Sequence, residues 1–389
     1  MPLRTYKYRL SPTKKQREKL ETTLDRLREL YNAALQERRE IYRYTGKGTS
    51  YNAQAAQLAE IKELRPEYKD IHSQVLQDTL RRVDKAFQAF FRRVKHGEKP
   101  GYPRYAGKTR FDSFTYPQSG FSLTKDNRLC LSKIGSIKVK LHRPPEGKVK
   151  TCTLKREGEH WYGCLVCEVE AMPRTPYTDE EVGIDLGVSK LATLSTGDVI
   201  EHPRFYRKAQ KKLAQAQQAL ARKKRGSQRR KKAVKRVARL HRKVRNQRND
   251  YLHKWSRWLV NTYQTIVFEE LAPANLSRRP KPKQDAETGK YLPNGASAKA
   301  GFNKSILDAG WSQFVMLCRY KAEEAGTVQI VLVDPKYTSQ TCSGCGAVKK
   351  KELSERWHSC SCGCSLDRDH NAALNILRLG RSRQHASVC

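Results

Sequence analysis

Five cysteines crowd into residues 342–364, and their order limits what the C-terminal part of the chain can become. Cys342 and Cys345 stand as C-x2-C; Cys360 and Cys362 follow after fourteen intervening residues. Four thiolates in two short turns suit a structural zinc ribbon, because tetrahedral zinc takes four sulfurs. Gly346 follows Cys345 and Gly363 follows Cys362, which lets backbone amides approach the sulfurs. These positions favour Cys342, Cys345, Cys360 and Cys362 as the ligands, with Cys364 spare but in reach. An odd total of 11 cysteines, clustered in this way, points to metal in a reducing cytoplasm and not to a disulfide framework. Cys164 and Cys167 share the C-x2-C spacing but lie in a strand-like run. Residues three apart in a strand face opposite ways, so this pair is not read as a metal site.

The cysteine module runs directly into Asp367-Arg-Asp369-His-Asn-Ala-Ala, an acidic helix start. One of these acids can cap the helix and the other can sit in its first turn; either can also hold a cation. Upstream, Asp185 lies inside the apolar strand Val-Gly-Ile-Asp-Leu-Gly. A carboxylate there is costly unless it is paired or binds a cation. Gly183 and Gly187 beside it leave room for a close approach. A later strand, Gln264–Leu271, ends in Glu269 and Glu270. Adjacent strand residues face opposite ways, so at most one of them joins Asp185. An acid on a first strand, one on a later strand and one opening the last helix suit phosphodiester hydrolysis. That chemistry uses two Mg2+ ions about 4 Å apart to activate water and stabilise the leaving alkoxide. Such hard cations prefer carboxylate oxygens.

What such a site would act on follows from charge. The chain has 389 residues and a formal net charge of +39. Nucleic acid is the partner that neutralises so much dispersed positive charge. No apolar run is long enough to span a membrane, and MPLRTYKYRL does not read as a signal peptide. Residues 3–10 alternate as a strand, and Ser11-Pro12 predicts a helix start with Ser11 as N-cap. Helices are expected over 51–63 and 70–95, the latter carrying Arg81, Arg82, Arg92 and Arg93 outside an apolar face. Residues 98–118 interleave aromatic and basic residues, among them Tyr102 and Arg104, in a pattern suited either to base stacking or to barrel packing. Short strands fill 119–170, with Lys138 and Lys140 on an outer face. A linker at 172–181 opens a second domain. Residues 204–248 are expected to be helical and strongly basic, and the helix over 222–248 holds fifteen Lys or Arg and no acid. Arg229, Arg230, Lys235, Arg236, Arg242 and Arg245 are its candidate phosphate contacts. A flexible loop at 278–304, a helix at 305–325 and a strand Val328–Val333 lead to the cysteines.

The segments YKYRLSPTKKQ, FFRRVKHGEKPGYPRY, VGIDLGVSKLAT, VFEEL, SILDAGWSQF, YTSQTCSGCG and DRDHNAALNIL together resemble the TnpB family. Its members are transposon-encoded relatives of the compact type V CRISPR effectors. The resemblance implies an RNA-guided DNA endonuclease, with guide RNA and target double-stranded DNA as partners and Mg2+ and structural Zn2+ as cofactors. It assigns catalysis to Asp185, Glu269 and Asp369 and leaves Asp367 as a helix cap. The fold it implies is multidomain, α+β and α/β. A wedge-type, OB-like β-barrel (1–10 and 98–172) would carry a helical recognition insert (11–97). A ribonuclease-H-like RuvC domain (178–336 and 366–380) would be interrupted by a zinc ribbon (337–365), with a disordered tail at 381–389. The oligomeric state stays open, with a monomer slightly favoured. The departures are Glu270 where Asp is common, the extra Cys364 and the long loop at 278–304, and none removes a catalytic acid. Rival readings are a DNA transposase using the same acids and an RNA-guided binder that does not cut. An actin-like ATPase would need a second glycine-rich phosphate loop, which the sequence lacks.

Overall fold

The computed structural model describes residues 3–170, 175–352 and 355–386, with side chains through 383. The chain divides into two compact units, Met1–Glu170 and Ala171–Cys389.

In the first unit, β1 (Leu3–Ser11) buries Tyr6, Tyr8 and Leu10 and exposes Lys7 and Arg9, as its alternation predicts. The helix start differs from expectation. Ser11 ends β1, paired with Lys138, and Thr13 is the N-cap of α1 (Lys14–Thr45). The Thr13 hydroxyl accepts from the Gln16 amide at 3.3 Å, and the Gln16 side chain accepts from the Thr13 amide at 3.0 Å. This reciprocal box satisfies two orphan donors, which Ser11, held in the sheet, cannot do. The helix expected over 51–63 is two pieces, α2 (Tyr51–Ala56) and α3 (Leu58–Leu64). After a 3-10 turn at Pro66–Asp70, α4 (Ser73–Lys95) lays Val75, Leu76, Leu80, Val83 and Phe87 into the core shared with Leu20, Leu24 and Leu27 of α1.

The remaining strands are β2 (Ser113–Tyr116), β3 (Phe121–Leu123), β4 (Arg128–Leu131), β5 (Gly135–Lys140), β6 (Lys148–Glu157) and β7 (His160–Glu168). With β1 they form one antiparallel sheet in the order β2-β6-β7-β1-β5-β4-β3. Its two edge strands are consecutive in sequence. Seven flat strands would separate the edges by about 29 Å, yet the chain from Tyr116 to Phe121 spans at most about 17 Å. The sheet therefore curls, and the Tyr116 and Phe121 rings meet at 6.4 Å between centroids.

The second unit is built on β8 (Glu181–Leu186), β9 (Lys190–Leu194), β10 (Val199–Glu201), β11 (Thr265–Glu269) and, further on, a fifth strand at Gln329–Val333. Between β10 and β11 lie α5 (Phe205–Ala221) and α6 (Gln228–Thr262). Arg222–Ser227, with Gly226 at a φ of 85°, separates the two, so the helix expected over 222–248 begins only at Gln228. After β11 come α7 (Pro273–Leu276) and the short hairpin β12 (Lys283–Gln284) and β13 (Tyr291–Leu292). Then follow α8 (Ala296–Ala309) and α9 (Trp311–Ala325). The expected loop at 278–304 thus ends early. The Asn294 side chain accepts from the Ala296 amide, and the alanines beyond it favour helix. The fifth strand is β14 (Gln329–Val333), followed by the hairpin β15 (Trp357–Ser359) and β16 (Ser365–Asp367) and by α10 (Arg368–Ala386). The last helix runs on to Ala386 through six residues expected to be disordered; 387–389 lie outside the described residues.

The main sheet has the order β10-β9-β8-β11-β14. Neighbours from β10 to β8 are antiparallel, whereas β8, β11 and β14 run parallel. Parallel neighbours need long crossovers, which the α5–α6 and α8–α9 segments supply. One face packs Val182, Ile184, Ile266 and Phe268 against α6 and α9. The other packs Val267 and Val333 against Ile376 and Leu377 of α10.

Candidate active site and zinc centre

Three carboxylates come to the α10 face of this sheet. Asp185 lies two residues after Gly183 on β8, so both face the same way. A Cβ on Gly183 would lie 2.2 Å from the Ala373 carbonyl oxygen and 2.6 Å from the Leu377 amide nitrogen of α10. Farther along the helix, a Cβ on Gly380 would lie 2.5 Å from a methyl of Val267 on β11. The helix backbone thus rests directly on β8 at Gly183, while at Gly380 it rests on the Val267 side chain of β11. Asp369 precedes Ala373 by one turn, about 6 Å along the helix. Asp185 lies about 6.6 Å beyond Gly183 along the strand. The close contact at Gly183 therefore sets Asp369 beside Asp185. β11 pairs in parallel with β8, Phe268 opposite Ile184, so Glu269 falls level with Asp185 on the neighbouring strand.

Glu269 is 8% exposed and its charge acts on Asp185, while Glu270 is exposed. Burial raises the Asp185 carboxyl well above its ordinary value, and the nearby charges of Glu269 and Asp369 push it the same way. Burial also raises Glu269, opposed by a hydrogen bond from the Thr338 hydroxyl. Among the described residues, the carboxylates of Asp185 and Asp369 have no hydrogen-bond or ion-pair partner. Arg368 opposes the Asp185 shift from a distance without bonding either carboxylate. Like charges gathered in this way, and offering only hard oxygen donors, fit Mg2+. The three do not all approach within 4.8 Å of one another, so they do not form a closed single-ion cage.

Asp367 has a different task. Its Oδ1 accepts from the amides of Asp369, at 2.9 Å, and His370, at 3.4 Å, which makes it the N-cap of α10. Its other oxygen accepts from Lys190 of β9 at 3.2 Å. Burial pushes this carboxyl up, but the Lys190 contact and the two amides outweigh it and leave it below the usual carboxylate range. His370 also meets the Ser195 carbonyl oxygen at 3.1 Å. The helix start is therefore tied to β9 at one end and to the turn just after it at the other.

The four cysteines singled out in the sequence converge. Sγ atoms of Cys342, Cys345, Cys360 and Cys362 all lie within 4.8 Å of one another, with Cys342–Cys362 and Cys345–Cys360 at 3.6 Å. A tetrahedral zinc with bonds of about 2.3 Å places its sulfurs about 3.8 Å apart, so the set fits the ion. Gly346 and Gly363 adopt φ of 78° and 88°, turning the chain after each pair. Backbone and His358 hydrogen bonds hold the Cys342 thiol well below its usual range, whereas at Cys362 the Cys364 amide is outweighed by neighbouring thiols, which push it up. The convergence of the four sulfurs is what fits the metal. Cys364 lies outside this set but forms another with Cys342 and the buried His358. Cys164 and Cys167 fall on opposite faces of β7.

The candidate nucleic-acid contacts divide. Arg92, Arg104, Lys138, Lys140, Arg229, Lys235, Arg236 and Arg245 are exposed, and Arg242 is half-buried. The Arg81 guanidinium lies over the Tyr51 ring. Tyr102 is exposed and packs edge-on against Phe87 and Phe90, beneath Arg39. Arg93 donates to the Gly101 carbonyl. Arg82 and Arg230 are engaged inside the fold. Arg82 bonds Asp78, the Ser113 carbonyl and Thr115; Arg230 bonds the Leu220 and Lys223 carbonyls at the end of α5. A guanidinium with five donors is drawn to bare carbonyls at helix ends and sheet edges, which charge counting along a sequence does not register. A set the sequence did not suggest lines a cavity of about 600 Å³ next to the loop after β8: Arg204, Arg207, Lys304 and Arg356, with Val188 and Ser189. Thr338, Lys190, Asn371 and Asn375 were also missed; two asparagines one turn apart in the apolar run NAALN were the available signal.

Known proteins resemble the chain along nearly its whole length. It is 34% identical over 385 residues to "Putative RNA-guided DNA endonuclease InsQ" of Escherichia coli, covering 98% of this chain and 93% of that one. It is 35% identical to "Putative RNA-guided DNA endonuclease" of Streptomyces pristinaespiralis, covering 99% and 90%. The chain belongs to the TnpB family. Family models match residues 164–279 (described as "Probable transposase"), 311–376 ("Cas12f1-like, TNB domain") and 1–47 ("Helix-turn-helix domain"). Residues 3–45 form a strand and one long helix, with no turn inside that helix. A solved Cas12f1–sgRNA–target DNA complex contains a protein of the same overall fold, with a TM-score of 0.55 at 15% identity over 92% of this chain and 82% of that one. No helix among the described residues is long and apolar enough to cross a membrane.

Proposed function

We propose that the chain is an RNA-guided DNA endonuclease that cuts with Asp185, Glu269 and Asp369. The observation that carries this reading is the convergence of these carboxylates, two of them without hydrogen-bond or ion-pair partners among the described residues, beside the ends of the adjacent inner strands β8 and β11 of a mixed five-stranded sheet in a chain of net charge +39. The mixed five-stranded sheet with α10 on one face is read as the ribonuclease-H-like RuvC domain, and the curled sheet of the first unit as the wedge barrel with α1–α4 as its recognition insert. Asp185, Glu269 and Asp369 would hold Mg2+, which when bound activates water and stabilises the leaving oxygen. Lys190, Asp367 and the contact at Gly183 orient Asp369. The cations beside the loop after β8 would hold the phosphate backbone near the carboxylates. The Cys342, Cys345, Cys360 and Cys362 set would hold structural zinc.

Guide RNA and target double-stranded DNA are the partners in this reading, in a cytoplasmic setting. Sequence choice is delegated to RNA–DNA pairing and the protein contacts backbone. The test is Asp185→Ala. The variant should lose cleavage of guide-matched DNA in Mg2+ while keeping guide-dependent binding. Cutting at the wild-type rate would overturn the assignment, and strand-joining products formed without RNA would favour a transposase.

A further inference from the structure

The zinc-ligating turn and the buried Glu269 are joined by one short strap, residues 338–343. Thr338 begins it, and its hydroxyl lies 2.5 Å from Glu269 Oε1 and 3.2 Å from the Pro335 carbonyl oxygen; the shorter contact, to the charged acceptor, is the one its proton takes. Among the described residues no other side chain bonds this carboxylate. Cys342 lies at the strap's other end. Two buried asparagines of α10 hold the strap between them. Asn375 Nδ2 donates to the Thr338 carbonyl at 2.9 Å and to the Thr341 carbonyl at 2.7 Å. Asn371 Nδ2 donates to the Thr341 carbonyl at 2.7 Å, and its Oδ1 accepts from the Ser343 amide at 2.9 Å. The same helix carries Asp369. The helix that presents one acid thus also fixes the strap that steadies another.

We infer that Thr338 is a positioning residue for the metal-binding carboxylates and that the strap couples the zinc centre to the active site; the inference rests on the two-metal reading above. A single hydroxyl proton directed to Oε1 fixes the rotation of the carboxylate and leaves its other oxygen for a cation. Packing alone would not select that rotation in a group this buried. Zinc, by fixing Cys342, holds the far end of the strap, and Asn371 and Asn375 set its height above β11. Loss of the hydroxyl should therefore weaken Mg2+ binding without altering zinc content or nucleic-acid binding.

The experiment compares T338V, which keeps the shape and removes the O–H, with T338S, which keeps the O–H, in the guide-loaded full chain. The Mg2+ concentration for half-maximal single-turnover cleavage should rise about 10- to 100-fold in T338V, the range for loss of an outer hydrogen-bond partner of a metal ligand. T338S should restore it. A second readout is independent of turnover: Mn2+ bound at the site, measured by electron paramagnetic resonance as the signal that E269A lacks, should weaken by the same factor in T338V. Zinc content should stay at the wild-type level; if valine perturbs it, T338A carries the same comparison. Wild-type Mg2+ and Mn2+ dependence in a zinc-loaded variant lacking the hydroxyl would overturn the inference. Cleavage by E269A would instead overturn the site reading itself.

Discussion

Gly183→Ala tests how the site is assembled. The added methyl would sit 2.2 Å from the Ala373 carbonyl oxygen and 2.6 Å from the Leu377 amide nitrogen, both main-chain atoms that cannot swing aside. Ordinary contact begins near 3.4 Å, so α10 must retreat from β8 by about 1 Å. That movement costs about 1–3 kcal/mol of overpacking strain. It also carries Asp369 away from Asp185, and a displacement of about 1 Å in a reacting constellation costs on the order of 100-fold in rate. The assay is single-turnover cleavage of guide-matched DNA, with thermal unfolding measured on the same preparation. G301A in α8, where the methyl would meet open space, is the control and should unfold no earlier than wild type. A folded G183A that cuts at the wild-type rate would refute the proposal that this contact positions the acids.

Two further expectations concern the zinc centre and a buried lysine. Cys345→Ser should lower zinc from about one ion per chain, by elemental analysis, and lower the unfolding temperature, because a structural zinc site contributes folding energy directly; Cys364→Ser should keep its zinc. Lys321 of α9 is buried, donates to the His253 carbonyl and to Ser256, and is lowered by burial, then by Arg257, to about 8. The unfolded chain therefore binds the extra proton between about pH 8 and 10.5, so stability contributed by this group should rise through that window, by up to about 3 kcal/mol. Lys321→Met should remove that part of the slope in thermal unfolding, and an unchanged slope would show that the amine is not held in this way.

Much of this chain is written in local rules. Alternation in β1, the apolar face of α4 and the glycines after each cysteine pair depend on backbone geometry within a few residues, and they read correctly. Alternation along the strand said only that one of Glu269 and Glu270 could join Asp185; the family resemblance chose Glu269, the one that is buried. The first helix start was misplaced because pairing with β5 holds Ser11, a partner more than a hundred residues away. The basic residues were legible as charge but not as contacts. Arg82 and Arg230 look like their exposed neighbours in sequence, yet the ends of α5 and the edge of β2 engage them.

By itself the sequence determined which residues could bind metal and which polymer would attract so basic a chain, because side-chain chemistry and net charge need no fold. Only the tertiary structure decided that Asp185, Glu269 and Asp369 meet. Their meeting depends on β11 pairing in parallel beside β8 and on α10 lying against Gly183 and Gly380, which are long-range packing choices. The strap from Cys342 to Thr338 is likewise invisible in sequence. Its asparagine anchors become hydrogen-bond partners only once the last helix is buried against the sheet.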